Sequence, residues 1–415
     1  MNVPQDGRDL IRRLIPLLLP ARSVLDRTPS PWMTVAFTYQ GLKALGVPQE
    51  SLDSFAPEFR QGMAARAAEL GDVGESSPDH WEEPLGRPDV HIAVATLAPD
   101  QASLAQLVER ARQAQDEFPG VDVIWRQDCY QLATGRTSFG FKDGIGQPVV
   151  EGAGTAPANP GEPPIKAGEF ILGYPDETGG LPPMPTPDVL GRNGTYVVFR
   201  KLHTRVAAYR RYLRERAADR AEEALLGAKM VGRWQSGAPL ALTPDRDDPE
   251  LGADPKRNND FGYRDDPRGL KCPAGAHARR ANPRDSLEDD SVDVRLHRMI
   301  RRGTSYGPAL PDGVLDDDGA DRGIIFVFAG AHLDRQFEFV KTQWINDGIF
   351  IGAPQESDPL VGPRDGTGTF TVPRRPIRRR LRDMPPFVVT RGGEYCFAPG
   401  LRGLRWLAGL TEESR

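Results

Sequence analysis

The sequence predicts an α+β fold in two halves with long connecting loops, and three features point to it. A strand, helix, strand pattern occupies Val90 to about Leu132. A comparable pattern runs from Gly323 to Leu410. Finally, 44 glycines and 39 prolines make up 83 of the 415 residues, a fifth of the chain against the roughly 12% of an average protein. That excess places much of the length in turns and loops. A chain of 45.6 kDa has room for two or three domains of about 100–200 residues, and the two modules favour two.

In the first module the apolar run Ile92 to Leu97 reads as a buried strand, and Pro99-Asp100 as a helix start. Leu104, Leu107, Val108 and Ala111 recur at helical spacing and share one face. Val121 to Trp125 then reads as a second strand. From Gly144 to Asn193 the chain carries Pro160, Pro163, Pro164, Pro182, Pro183, Pro185 and Pro187, which excludes helix or central strand throughout. An arm of that length is expected to wrap or cover something. A helix is predicted over His203 to Leu226, with Val206, Tyr209 and Leu213 on one side. Loops follow from Gln235 to Arg284, then a helix from Val294 to Ile300 ending near Gly303. In the second module Gly323 to Phe328 reads as a strand, His332 to Ile345 as an amphipathic helix, Gly393 to Phe397 as a strand, and Leu401 to Leu410 as a last helical turn.

Charge and targeting features narrow the classes of partner. Fifty-three basic against 58 acidic residues give −5, so no global attraction to nucleic acid or an anionic membrane follows. The basic run Arg374 to Arg382 has no interleaved aromatics, which leaves nucleic-acid binding a remote alternative. No apolar stretch approaches the ~20 residues that span a bilayer, so no membrane partner is expected. Arg12-Arg13 precedes the apolar Leu14 to Pro20, in the outline of a twin-arginine signal, but that core is short and holds two prolines. Cys129, Cys272 and Cys396 are odd in number and form no CxxC pair, which fits a reducing, cytoplasmic location. The acidic Asp316 to Gly319 reads as a solvated turn.

Phosphate-binding, nucleophile-elbow, HExxH and dinucleotide signatures are absent. Three unusual segments remain: Gly140 to Pro148, containing Asp143; Cys272 to Arg284, containing His277; and Arg301 to Gly307. Singly they read as a turn, a structural histidine and a helix end. Together a carboxylate beside a sharp glycine turn, an isolated imidazole and an arginine are what an iron porphyrin needs to react with hydrogen peroxide. Imidazole is a common axial ligand of haem iron. A carboxylate can take the peroxide proton and return it to the departing oxygen, and a permanent guanidinium charge stabilises the separating negative charge.

The ordered set resembles the dye-decolorizing (DyP-type) haem peroxidase family, in its larger bacterial and fungal branch. Gly140-Phe141-Lys142-Asp143-Gly144 is similar to the family's GxxDG hallmark, and the string from His277 to Arg284 to its haem-contacting segment. Val35 to Leu42, Leu190 to Tyr196 and Arg335 to Phe339 extend the likeness from about Gly7 to Gly409. The resemblance implies two ferredoxin-like halves of the dimeric α+β barrel type: residues 1–190 with the distal Asp motif and connecting arm, and residues 191–415 binding haem. It implies one haem b per chain, His277 as the iron ligand, Arg284 at a propionate, and Asp143 and Arg301 as catalytic groups. Ile324 and Phe326 would wall the pocket, and Asp358 would orient the ligand imidazole, with Asp347 as the rival. The expected activity is reduction of hydrogen peroxide to water with one-electron oxidation of dyes, phenols or other organic reductants. Trp125, Trp234, Trp344 and Trp406 are candidates for electron relay, with a core role the plainer reading of each. The alternative is a haem-handling protein, which would need His277 and Arg284 but not Asp143 and Arg301 together. The family's usual opening strand has no counterpart ahead of Gly7. An uncovered sheet edge could pair with another chain, which leaves a homo-oligomer open.

Overall fold

Strands β1 (Trp32–Phe37), β2 (Ile92–Leu97), β3 (Thr195–Thr204), β4 (Ile300–Tyr306) and β5 (Gly323–Gly330) join β8 (Val388–Ala398) in one antiparallel sheet ordered β2-β1-β8-β3-β5-β4. Strands β6 (Gly368–Val372) and β7 (Arg379–Met384) form a separate hairpin whose turn carries part of the basic run. The computed structural model describes residues 1–19, 30–154, 162–290 and 292–410, so Pro20 and Pro160 lie outside it. The sheet draws strands from both ends of the chain because β1 and β8 meet at Phe37 and Phe397. This is the α+β architecture expected, with a curled antiparallel sheet and helices packed on it.

The largest core lies where the helices Pro4–Leu14, Pro57–Gln61 and Leu401–Ala408 and the turn at Phe55 pack against the sheet. Phe397 is its centre. The ring is fully buried and meets Phe55 edge-on at 5.1 Å, Tyr196 at 5.7 Å and Phe59 at 6.4 Å. Arg12 and Arg13 belong to the first helix, where Arg13 pairs with Glu117 at 3.0 Å and Arg12 with Asp9 and the Ala408 carbonyl.

Several sequence expectations change. Ile92–Leu97 is a strand, but an edge strand whose side chains are half-buried or exposed, since only β1 pairs with it. Asp100 caps the following helix, Gln101–Asp116, by accepting the Ser103 amide at 2.8 Å. Val121 to Trp125 is extended without joining a ladder. Val123 and Ile124 are exposed, and Trp125 lies edge-on over Phe199 of β3 at 5.4 Å. A segment crossing a sheet face meets no free strand edge with which to exchange hydrogen bonds. The predicted helix over His203 to Leu226 divides: His203 belongs to β3, and the helices are Val206–Arg216 and Arg220–Val231. Asp219 starts the second by accepting the Glu222 amide at 2.8 Å. Val294 to Ile300 is a short 3-10 turn, Val294–His297, after which Ile300 enters β4, so Arg301 stands on a strand. His332 to Ile345 is helical, wound as two wide π-type segments.

Phe397→Ala should lower unfolding free energy by about 3–5 kcal/mol, the usual cost of emptying a buried aromatic site, as measured by urea denaturation.

Candidate functional site

His277 opens the short helix His277–Ala281, following Ala276 as its N-cap. Its Nδ1 lies 2.8 Å from Oδ2 of Asp358, a carboxylate with no solvent exposure. The other Asp358 oxygen accepts the Leu360 and Val361 amides at 2.8 and 2.9 Å. Burial by itself would raise this carboxyl, but the facing His277 and the two amides outweigh it and hold it down at about 2. Asp347, the rival, is turned elsewhere: its side chain accepts the Ile349 amide at 2.8 Å. With Nδ1 committed to Asp358, Nε2 is the nitrogen left to bind a ligand.

What brings imidazole and carboxylate together is Arg280, one helical turn from His277 and fully buried. It donates from Nε to Gly275 at 3.1 Å, from Nη1 to the carbonyls of Trp344 and Asp347 at 2.7 Å each, and from Nη2 to Glu356 at 2.8 Å. The helix is thereby tied to the segment that carries Asp358. The sequence put this arginine beside the histidine but gave no sign of its partners.

Asp143 stands on a turn made by Gly140, Gly144 and Gly146, all at positive φ, a conformation that suits residues without a Cβ. The side chain is exposed, and its Oδ1 accepts the Gly144 amide at 2.7 Å. The turn meets the sheet at Gly303 of β4, where an added Cβ would lie 3.2 Å from Asp143 Oδ2 and 3.1 Å from Ile324 Cγ2. Gly303 is paired with Phe326 across the ladder, Ser305 with Ile324, and Arg301 with Phe328. Directly opposed residues share a face, so Arg301, Gly303, Ile324 and Phe326 line one side of the β4-β5 pair. Ile324 and Phe326 are both half-buried.

Arg301 is fixed through its backbone, its amide and carbonyl both bonded to the Gln147 side chain. Burial lowers its guanidinium; Asp143 opposes that shift and Arg284 adds to it. Arg284, itself at φ 53, donates to the carbonyls of Asn259 and Phe261 at 3.1 and 2.9 Å and lies over the Phe261 ring at 3.9 Å. Two further cations missed by sequence reasoning join this cluster. Arg233 reaches the Asn259 side chain at 3.0 Å, and Arg298 pairs with Glu162 and donates to the Gly146 carbonyl at 3.2 Å. Burial, together with Arg284 and Arg301, lowers each of them to about 10, so both stay charged at neutral pH. These residues come from separate loops and carry no motif, and only the fold collects them. The arm from Gly144 contributes Gly146, Gln147 and Glu162, all of which contact the cluster from outside.

Because the folded Asp358 carboxyl lies below its ordinary 3.8, its stabilisation is complete above about pH 4 and is lost as pH falls toward about 2. Asp358→Asn should therefore destabilise the fold at neutral pH and lose most of that effect as the pH falls toward about 2. Denaturant titrations across that range will measure both.

The DyP dimeric alpha+beta barrel domain matches residues 21–119. A dye-decolorizing peroxidase of Exidia glandulosa is 33% identical over 407 residues, covering 92% of this chain and 76% of the relative. A multifunctional dye peroxidase of Amycolatopsis sp. is 30% identical over 416 residues, covering 93% and 84%. The solved structure of a dye-decolorizing peroxidase in complex with 2,6-dimethoxyphenol superimposes with a TM-score of 0.84 at 27% identity, over 98% of this chain and 94% of that one. Likeness at that level over nearly the whole of both chains means that this chain belongs to the dye-decolorizing peroxidase family, whose members are haem enzymes.

Proposed function

We propose that the chain is a peroxidase with one haem b, held by His277, which reduces hydrogen peroxide and oxidises dyes, phenols or similar organic reductants. The observation that carries this reading is the meeting of Asp143 and Ile324 over Gly303, on the strand that also holds Arg301. A protein that only carries or handles haem has no use for a carboxylate and a guanidinium brought together in this way.

The residues present fit the group. Among the described residues no set of three or more His, Cys, Asp and Glu could hold a bare metal ion, whereas a porphyrin brings its own four nitrogens and needs one imidazole. Arg233, Arg284, Arg298 and Arg301 repel one another with few carboxylates between them, a surplus suited to two propionates. Haem, when bound, supplies the redox centre for peroxide reduction and one-electron oxidation.

In this reading Asp358 keeps the proton of His277 on Nδ1 and makes Nε2 the more basic ligand. Arg284 pairs with a propionate. Asp143 Oδ2 takes the proton of hydrogen peroxide and returns it to the oxygen that leaves as water. Arg301 stabilises the charge that develops between those steps, and Ile324 and Phe326 limit water beside it. Residues 1–190 supply the acid and the arm, and residues 191–415 the imidazole and the cations. We place the protein in the cytoplasm on the strength of three unpaired cysteines, Cys129, Cys272 and Cys396. The outer edge of β2 is the surface on which a second copy would pair. No described helix is long and apolar enough to cross a membrane.

Two substitutions test the assignment in the haem-loaded protein. His277→Ala should abolish the wild-type ferric spectrum, and an unchanged Soret band sinks the ligand assignment. Asp143→Asn should keep haem bound yet slow the reaction with peroxide about 10²–10⁴-fold in stopped-flow mixing. An unaltered rate would remove Asp143 from proton transfer and pass that role to Arg301 or water.

A further inference from the structure

The hairpin of β6 and β7 is held firmly at its base. Phe370, Val372, Leu381 and Met384 are buried in a core with Tyr212 and Phe387, and Phe370 faces Leu381 across the ladder. Arg379, which opens β7, pairs with Glu222 at 2.5 Å and donates to the Arg216 carbonyl. Thr371 of β6 donates its amide to Glu356 at 3.0 Å and its hydroxyl to the same carboxylate. The tip is attached to nothing. Residues 374–378 are all exposed, and among the described residues the one hydrogen bond of their side chains is internal, from Arg374 Nε to the Ile377 carbonyl at 3.1 Å.

Ile377 stands in that tip 73% exposed, more than any other large hydrophobic side chain among the described residues. Arg374, Arg375 and Arg378 flank it, and Arg380 and Arg382 follow on β7, where they alternate with the buried Leu381 and so share the outward face. All five arginines are exposed, and none has an ion-pair partner among the described residues. Asp383 is the one acidic residue between Asp365 and Glu394. A net charge of −5 conceals this patch, because the acidic residues that produce it lie elsewhere in the chain. Charge and hydrophobe together select the partner. Unpaired guanidinium groups attract any anionic surface, but an aliphatic side chain held out in water gains only on entering an apolar medium. Nucleic acid offers no such medium, and the tip carries no aromatic ring on which a base could stack. An anionic bilayer offers both phosphates and, just beneath them, acyl chains.

We propose that the β6-β7 hairpin docks the protein on an anionic lipid surface, with Ile377 entering the boundary between headgroups and acyl chains and the five arginines pairing with lipid phosphates. Arg380 follows Ile377 at a chain distance of at most about 10 Å, so it reaches the headgroups when the tip is inserted. The contact is peripheral and reversible and needs no spanning helix. Lack of a spanning stretch and the net charge argue against a membrane partner for the chain as a whole, but neither bears on a local patch of this kind. The contact is separate from the His277 and Asp143 centre and does not depend on haem.

The test is sedimentation of the haem-loaded protein with lipid vesicles, the bound fraction being read from the Soret absorbance. Vesicles of phosphatidylcholine with about one third phosphatidylglycerol should bind at least tenfold more tightly than phosphatidylcholine alone, and raising salt from about 0.1 to about 1 M should release the protein. Arg375→Gln combined with Arg378→Gln should weaken binding about 10- to 30-fold, the share of two basic side chains in such an attraction. Ile377→Ser keeps every charge and should still weaken it about fivefold. Because all three side chains are exposed and attached to nothing, the variants should keep the wild-type melting temperature and Soret band. Equal binding to the two kinds of vesicle, or unchanged binding in either variant, overturns the proposal. So does a DNA duplex of mixed sequence that binds as tightly as the anionic vesicles and is unaffected by Ile377→Ser, which would make the hairpin a nucleic-acid contact. Salt-sensitive self-association without lipid that the arginine substitutions abolish overturns it as well, by giving the patch to a second copy of the chain.

Discussion

The candidate site depends first on one buried arginine. Arg280 is fully enclosed and spends its donors on four backbone carbonyls, from Gly275, Trp344, Asp347 and Glu356. A charge taken out of water at that cost is held only if every donor is satisfied. The geometry that satisfies it also fixes the helix bearing His277 against the segment bearing Asp358, some eighty residues later in the chain. The 2.8 Å contact between imidazole and carboxylate is thus a consequence of where a neighbouring guanidinium has to sit.

The opposite side of the site is built by a different constraint, the absence of side chains. Gly140, Gly144 and Gly146 let the chain turn sharply enough to present Asp143, and Gly303 leaves the face of β4 open to receive it. Ladder pairing then places Ile324 and Phe326 beside that opening and holds Arg301 on the same face. The surrounding cations work against this arrangement. Arg233, Arg284, Arg298 and Arg301 raise one another's energy, and the fold tolerates them through carbonyls, Asn259 and Glu162. A group bearing two negative charges would relieve that repulsion, and its binding would then add to stability.

How far the sequence could be read differs from element to element. Ile92–Leu97 and the strand from Gly323 were legible because continuous apolar runs of that length have few other uses, and Gln101–Asp116 because its spacing and its Asp100 cap agree. Val121 to Trp125 reads as a strand from sequence but pairs with none, because a run of β-formers signals extension and not a partner edge. His203 to Leu226 reads as one helix because its periodicity is continuous, whereas the Asp219 cap divides the stretch into Val206–Arg216 and Arg220–Val231. Gly303 reads from sequence as a helix terminator behind Arg301, whereas it stands in β4, where an added Cβ would come within 3.2 Å of Asp143 Oδ2.

By itself the sequence determined the chemical inventory: one imidazole, one carboxylate among glycines and one arginine, in an order that fits a haem peroxidase. Those identities are local, and a motif of a few residues carries them. The tertiary structure set Asp358 rather than Asp347 against His277, brought Arg233, Arg298, Asn259 and Gln147 to the cluster, and buried Arg280 between distant segments. Such choices rest on loop closure and on pairing of groups far apart in the chain, and hydrogen-bond satisfaction at those distances leaves no pattern in the spacing of residues.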